Sequence, residues 1–451
     1  MLKFGWSHKD VSVEGPVGIT GQFYERISKG VYDPNTVTAL VIDDGDEVSI
    51  MMSGDFVAFS NGIIFDIRNA VKDKNPEIPV EKIMMNATHT HCSPRYMKFG
   101  TTGYDKAPHD GIDYMMPEEY RGILVDRASD AVVEAYESRS EGSYSYGYGY
   151  AVVAHHRRPT YFDDIRERPG HKGPSSLYTD KHARMYGKTD DPMFNEYEGN
   201  VDSSAYFMFT FDKSDKLTGA IINVPCPSQN SENENYLTAD YWADVRAMVK
   251  EKYGDIYILP QCASAGDMSP RTLHARPAED RKYALKYEGL DKGELNSVRE
   301  ICNRREIAER IMIAFDDTLK WASKEKIGAA KLSHVVKSIK LVVIYVFEYH
   351  KNVDIRDSAV TVYVTGKAVG NLDFTALSNK IFLAVCGGKS ALRSINRGIN
   401  QINFVSVSDI RFIGKTEGEL KKVARLAYHI RICAYEVVAV VNFRTVAYKT
   451  L

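Results

Sequence analysis

The sequence predicts an α/β fold in which mixed β-sheets are flanked by helices. Strand-like and helix-like stretches alternate up to about residue 330, the pattern of one large layered domain. Several long segments carry apolar residues at helical spacing, as in Ile63, Ile64, Ile67 and Val71. The 28 tyrosines suit sheet-rich structure with aromatic-lined clefts.

In order, residues 11–56 read as strands joined by turns. Thr36 to Asp43 is rich in β-formers, Asp44-Gly45-Asp46 is turn chemistry, and Val48 to Met52 follows as a second strand, with Asp55 just beyond. A helix is expected from about Val57 to Lys74. Pro117-Glu118-Glu119 opens another, with proline and two acids in its first turn. Ser143 to Val153 alternates Tyr with Gly or Ser and reads as a strand ending at His155-His156-Arg157-Arg158-Pro159. From Thr160 to Asn200 the chain is charged and poor in aliphatics, either a lid over a site or a mobile insertion. Strands return at Ala205–Phe211 and Gly219–Val224. Thr238 is expected to cap a helix that Gly254 closes. Asp255 to Pro260 is a further strand, and a long amphipathic helix fits Glu294 to Lys324.

The last stretch differs. All 16 prolines lie at or before Pro277, and nothing in the sequence accounts for it. Strand-like runs are visible at Leu341–Phe347, Val360–Val364 and Ile381–Val385, with a final helix from about Glu417. The expected division is residues 1–335 as the catalytic domain and 336–451 as a C-terminal part of the same domain.

Composition narrows the function classes. Hydrophobic content of 44% and charged content of 26% are ordinary for a globular protein. A formal net charge of -2 gives no reason to expect nucleic acid or an anionic membrane surface as partner. No apolar run reaches membrane-spanning length, and the N-terminus lacks a signal-peptide core. Six cysteines without paired spacing suit reduced thiols. The expectation is a cytoplasmic enzyme or binding protein for a small molecule.

The chemistry gathers at Ala87-Thr88-His89-Thr90-His91-Cys92-Ser93-Pro94, behind the apolar run from Ile83. In an extended strand, residues i and i+2 leave the same face. His89 and His91 would then both enter a loop cluster, where two imidazoles can hold a metal or divide metal and proton work. Two polar residues closing a strand is the plain alternative.

Several stretches together resemble, in family order, the N-terminal catalytic domain of neutral/alkaline ceramidases and their bacterial relatives. Gly18-Ile19-Thr20 with Gly21, Arg26 and Asp33-Pro34 is similar to the family's opening, and Ala39 to Gly45 with Asp55 to its first two strands. The His-x-His segment resembles the "THTHSGP" signature, Gly266-Asp267-Met268-Ser269-Pro270 the "GDVSP" signature, and His156-Arg157-Arg158-Pro159 an "NR[RS]" element. The resemblance covers about residues 10 to 330. It implies a zinc amidohydrolase with His89 on the metal, His91 and Arg157 beside the reacting carbonyl, and Ser269 as nucleophile or wall. Asp267 joins them as a candidate catalytic residue.

The sequence departs from that pattern at a second zinc histidine, whose loop here is Asn223-Val224-Pro225-Cys226-Pro227-Ser228-Gln229. Cys226 could replace it as a thiolate, or be a buried thiol. Phe347-Glu348-Tyr349 is the nearest echo of the family's glutamate ligand, making Glu348 a candidate. Two readings stay open: a metal-dependent hydrolase of an amide or related bond, and a metal-free relative that only binds a small molecule. Absence of an export signal argues against ceramide itself as substrate. Gly387-Gly388-Lys389-Ser390 fails as a phosphate loop, because Leu383 stands where the first glycine is required.

Overall fold

The computed structural model describes residues 1–22, 24–97, 112–170, 179–343 and 433–440. It opens with β1 (Lys3–Asp10), β2 (Thr36–Asp43) and β3 (Val48–Gly54), then α1 (Asn61–Lys74), β4 (Ile83–Ala87) and α2 (Pro117–Glu137). Next come β5 (Ser140–Tyr150), β6 (His155–His156), β7 (Pro159–Tyr161), β8 (Thr179–Asp180), β9 (Ala183–Arg184) and β10 (Phe194–Tyr197). β11 (Ser204–Asp212), β12 (Leu217–Val224), α3 (Tyr241–Tyr253), β13 (Tyr257–Cys262), β14 (Met268–Ser269), α4 (Arg276–Lys286) and α5 (Val298–Ala322) follow.

Eight strands form one mixed sheet in the order β13-β12-β11-β5-β1-β2-β3-β4. Two of its pairs, β3 with β4 and β12 with β13, are parallel. Only Lys3 and Phe4 of β1 pair with β5, so the sheet is hinged there. Its two halves fold face to face, β13 packing against β2, β3 and β4. Phe4, Trp6, Leu40, Ile221 and Leu259 fill the space between them. The Trp6 indole donates to Thr210 Oγ1 at 2.9 Å and stacks on Tyr257. A side chain on Gly219 would collide with that indole, 2.7 Å away.

Helices cover both outer faces. α1 buries Ile63, Ile67 and Val71 of the expected stripe in a core shared with α2, and leaves Ile64 half-buried. Full burial of such a side chain contributes about 1.5–3 kcal/mol. α3 and α5 cover the other half-sheet, where Phe207, Phe209 and Phe315 meet. The predicted α/β class with mixed sheets flanked by helices is the observed one.

Boundaries moved where side chains compete for the backbone. α1 begins at Asn61 rather than near Val57, because Ser60 caps it by accepting the Ile63 N–H. Asp240, not Thr238, caps α3, accepting from Tyr241 N–H at 2.7 Å and from Ser231 N–H at 2.6 Å. α2 opens at Pro117 as expected, and Glu119 accepts the Met116 N–H at 2.7 Å. β1 and α4 escaped the sequence reading. β1 is buried on both sides, with Gly5 against α2 and Ser7 bonded to Glu134, so its second face carries no apolar signal. α4 buries only Tyr283.

The 160–200 stretch, expected as a loop, includes a small sheet in the order β8-β9-β7-β10. Arg168 ties it together by pairing with Asp163 and Asp191.

Met1–Val335 forms one compact unit and Val336–Asn442 another. In the second, β15 (Val336–Val343) and β16 (Cys433–Val440) pair antiparallel. The end of the Leu341–Phe347 run, the runs at Val360 and Ile381, and the helix from Glu417 lie outside the described residues. Among the described residues no helix is long and apolar enough to cross a membrane.

Candidate functional site

β4 ends at Ala87, so His89 and His91 stand in a loop rather than on a strand. The expected strand geometry does not apply: His89 has φ +64, a left-handed conformation costly for a residue with a Cβ. Side-chain bonds impose it. Thr88 and Thr90 are wholly buried, with hydroxyls on Asp55 Oδ1 and the Thr238 carbonyl. The two histidines between and after them meet instead, ring centroids 5.1 Å apart and edge to face.

Each ring has a fixed tautomer. His89 Nδ1 lies 2.8 Å from the Val57 carbonyl, which can only accept, so Nδ1 carries the proton and Nε2 keeps its lone pair. The Gln229 amide nitrogen donates to His91 Nε2 at 2.7 Å, which puts the His91 proton on Nδ1. Glu232 Oε2 stands 3.3 Å from that nitrogen, close enough to pair though outside good hydrogen-bond alignment. Below the ring, Gly21 (φ +107) allows close approach; a Cβ there would lie 2.4 Å from the His91 Cβ. Arg26 donates to the His91 and Thr20 carbonyls, locking the loop from behind.

Both imidazoles are held neutral at pH 7. Burial, followed by the charges of Arg26, Arg157 and Arg271, brings His91 down to about 3. Glu232 pulls the other way, but its carboxylate is already ion-paired with Arg271. His89 is lowered too, by burial first, then by His91 and Arg157, against the opposing bond to Val57.

Arg157 therefore acts on both rings. β6 and β14 position it: Met268 pairs with His156, and the Arg157 N–H donates to the Asp267 carbonyl at 3.0 Å. Its guanidinium donates to Tyr186 Oη at 2.9 Å and to the Gly266 carbonyl at 2.7 Å. Gln229, Glu232 and Tyr186 were missed by sequence reasoning, since the first two share the loop before α3 and the third lies between β9 and β10, and neither loop carries a motif that marks them.

The other expected residues sit elsewhere. The Asp267 carboxylate faces His156 Nε2 at 3.1 Å rather than His91. Ser269 is wholly buried, and its hydroxyl accepts the Arg271 N–H at 3.1 Å. Cys226 belongs to the apolar core beneath α3; its thiol donates to the Val153 carbonyl at 3.2 Å, and burial raises its pKa well above normal. Glu348 lies outside the described residues.

A catalytic zinc needs about three protein ligands. His89 is prepared as one, since the Val57 bond leaves Nε2 open. The His91 Nε2 lone pair is taken by the Gln229 amide, and among the described residues no three His, Cys, Asp or Glu side chains converge on a metal position. The described residues do not make up a zinc site.

No family model matches the chain, and no curated protein does. Among solved structures it is similar to neutral ceramidase from Pseudomonas aeruginosa, with a TM-score of 0.53 and 18% identity. That likeness covers 76% of this chain and 47% of the other. A ceramidase complexed with C2 matches with a TM-score of 0.50 and 18% identity, over 76% of this chain and 46% of the other. The chain spans about half the length of these structures. At such identity the likeness is one of architecture, and the chain has a neutral-ceramidase-like fold.

Proposed function

We propose that the chain hydrolyses an amide or related carbonyl bond at a site formed by His89, His91 and Arg157. One observation carries this reading: two imidazoles of fixed tautomer, both held neutral, stand edge to face with ring centroids 5.1 Å apart. His89 Nε2 accepts a proton from water as the water oxygen bonds to the acyl carbon. Arg157 N–H groups meet the oxyanion that develops. The C–N bond then breaks and the proton passes to the leaving nitrogen, giving an acid and an amine. Ser269 supports the Arg271 backbone and takes no covalent part.

The fold supports an amide as the bond class, since the structures it resembles are ceramidases by name. Ceramide itself is not the substrate in this reading. Gln229 and Glu232 face His91, Arg271 pairs with Glu232 and Arg157 bonds Tyr186, polar surroundings that do not suit two long hydrocarbon chains.

A second reading, a metal-free relative that binds a small molecule without turning it over, is favoured by one contact. The Gln229 amide occupies the His91 lone pair that a metal or a proton would use. Elemental analysis of protein purified without chelators, with turnover of a panel of acyl amides, separates the two. Hydrolysis abolished by Arg157→Ala is the expected result. No turnover of any amide under zinc-replete conditions rejects the hydrolase in favour of the binding protein.

A further inference from the structure

Among the described residues Arg157 has no carboxylate partner. Its two terminal nitrogens donate to neutral oxygens, of Tyr186 and Gly266, and its buried Nε has no partner at all. Arg271, the neighbouring guanidinium, shares the single carboxylate of Glu232 with His91. A partly buried guanidinium without a counter-charge is costly, and a ligand carboxylate relieves that cost.

Tyr186 supplies the second observation. Its hydroxyl oxygen accepts from Arg157 at 2.9 Å. A phenol oxygen that accepts from a guanidinium keeps its own proton to donate to another group. The residue has φ +55, a conformation an aromatic residue keeps only when its surroundings impose it. Here the Tyr186 N–H donates to the Arg157 carbonyl at 2.7 Å, which fixes the ring beside the arginine. The 160–200 segment thus delivers an O–H donor beside the Arg157 guanidinium.

We infer that the site takes a substrate of the N-acyl amino acid class, whose carboxylate is held by Arg157, Arg271 and the Tyr186 hydroxyl. The inference rests on the proposed hydrolytic site and names its substrate. In such a molecule only the nitrogen and the α-carbon separate the acyl carbon from the carboxylate. One guanidinium fork can therefore hold the carboxylate with one nitrogen and meet the acyl oxygen with another.

Calorimetric titration of the full chain with N-acetylglycine and N-hexanoylglycine, each against its neutral glycinamide, tests this without requiring turnover. The acylglycines should bind about tenfold tighter or more than their amides. Tyr186→Phe should remove most of that preference. Equal affinity within each pair, or no binding of either acylglycine, overturns the inference. A preference that persists while neither compound is hydrolysed rejects the hydrolase and leaves carboxylate recognition standing. If Tyr186→Phe fails to fold, the wild-type comparison alone decides.

Discussion

The Gln229 amide donates to His91 Nε2 at 2.7 Å, and the proton it displaces to Nδ1 faces Glu232 across 3.3 Å. This arrangement sets a protonation state rather than a position alone. In Gln229→Ala the Nε2 lone pair loses its partner, an unsatisfied buried acceptor that costs about 1–3 kcal/mol. Nitrogen-15 shifts of the His91 ring should report a single Nδ1–H tautomer in the wild type and a mixture in the variant. Identical spectra would mean that Gln229 does not choose the tautomer.

His89→Ala removes the proposed base and should lower kcat/KM by about a hundredfold or more, with the far-UV spectrum unchanged. Burial, His91 and Arg157 hold His89 below the ordinary value of 6.5, so its basic form persists into mildly acid solution. The kcat/KM profile of the wild type should stay level from neutral pH to below 6.5 and decline at lower pH. A decline centred on 6.5 or above would rule out this imidazole as the base.

Ser269→Ala should retain measurable turnover, because the buried hydroxyl accepts a backbone N–H and is not presented to the site. Loss of that bond costs about 0.5–1.5 kcal/mol of stability by denaturant titration. Labelling of Ser269 by a fluorophosphonate, mapped by mass spectrometry, would contradict the assignment.

Glu300 bears on stability against pH. Burial first, and then the bond and charge of Glu234, push its carboxyl up to about 8. A carboxyl raised on folding keeps its proton in the native state after the unfolded chain has lost it. Its favourable contribution is complete below the ordinary value of 4.5 and disappears as pH rises toward 8. Glu300→Gln keeps a donor for Glu234 without the ionisation. Its melting temperature should match the wild type at pH 4.5 and exceed it at pH 8. A variant equally displaced at both pH values would show that the proton is not involved.

Asp55 is fully buried and held by two bonds from Arg246, two from Thr36 and one from Thr88. Asp55→Ala leaves Arg246 facing a vacated carboxylate site, and breaking such a pair costs about 3–5 kcal/mol. Because Thr88 loses its partner too, the His89 loop should gain hydrogen-exchange rate beyond the global change. A uniform increase across the domain would argue that Asp55 supports the fold without tensioning that loop.

Periodicity and turn chemistry are local properties, and they were enough to read the helix stripe of Ile63, Ile67 and Val71, the Pro117 start and the strands after Ser204. The α/β class followed from these elements, as did the interest of His89, His91 and Arg157. Local pattern failed where burial is two-sided or polar. β1 escaped because Gly5 and Ser7 face α2 without any apolar residue to betray it.

The sequence by itself determined which residues could do chemistry; only the tertiary structure decided which of them meet. It set Cys226 into the apolar core, turned Asp267 toward His156, and brought Gln229 and Glu232 from one loop to His91 and Tyr186 from another to Arg157. Residues 91 and 229 are 138 apart along the chain. No spacing rule spans such an interval, because the contact is made by the packing of loops that the two half-sheets and their helices hold in place.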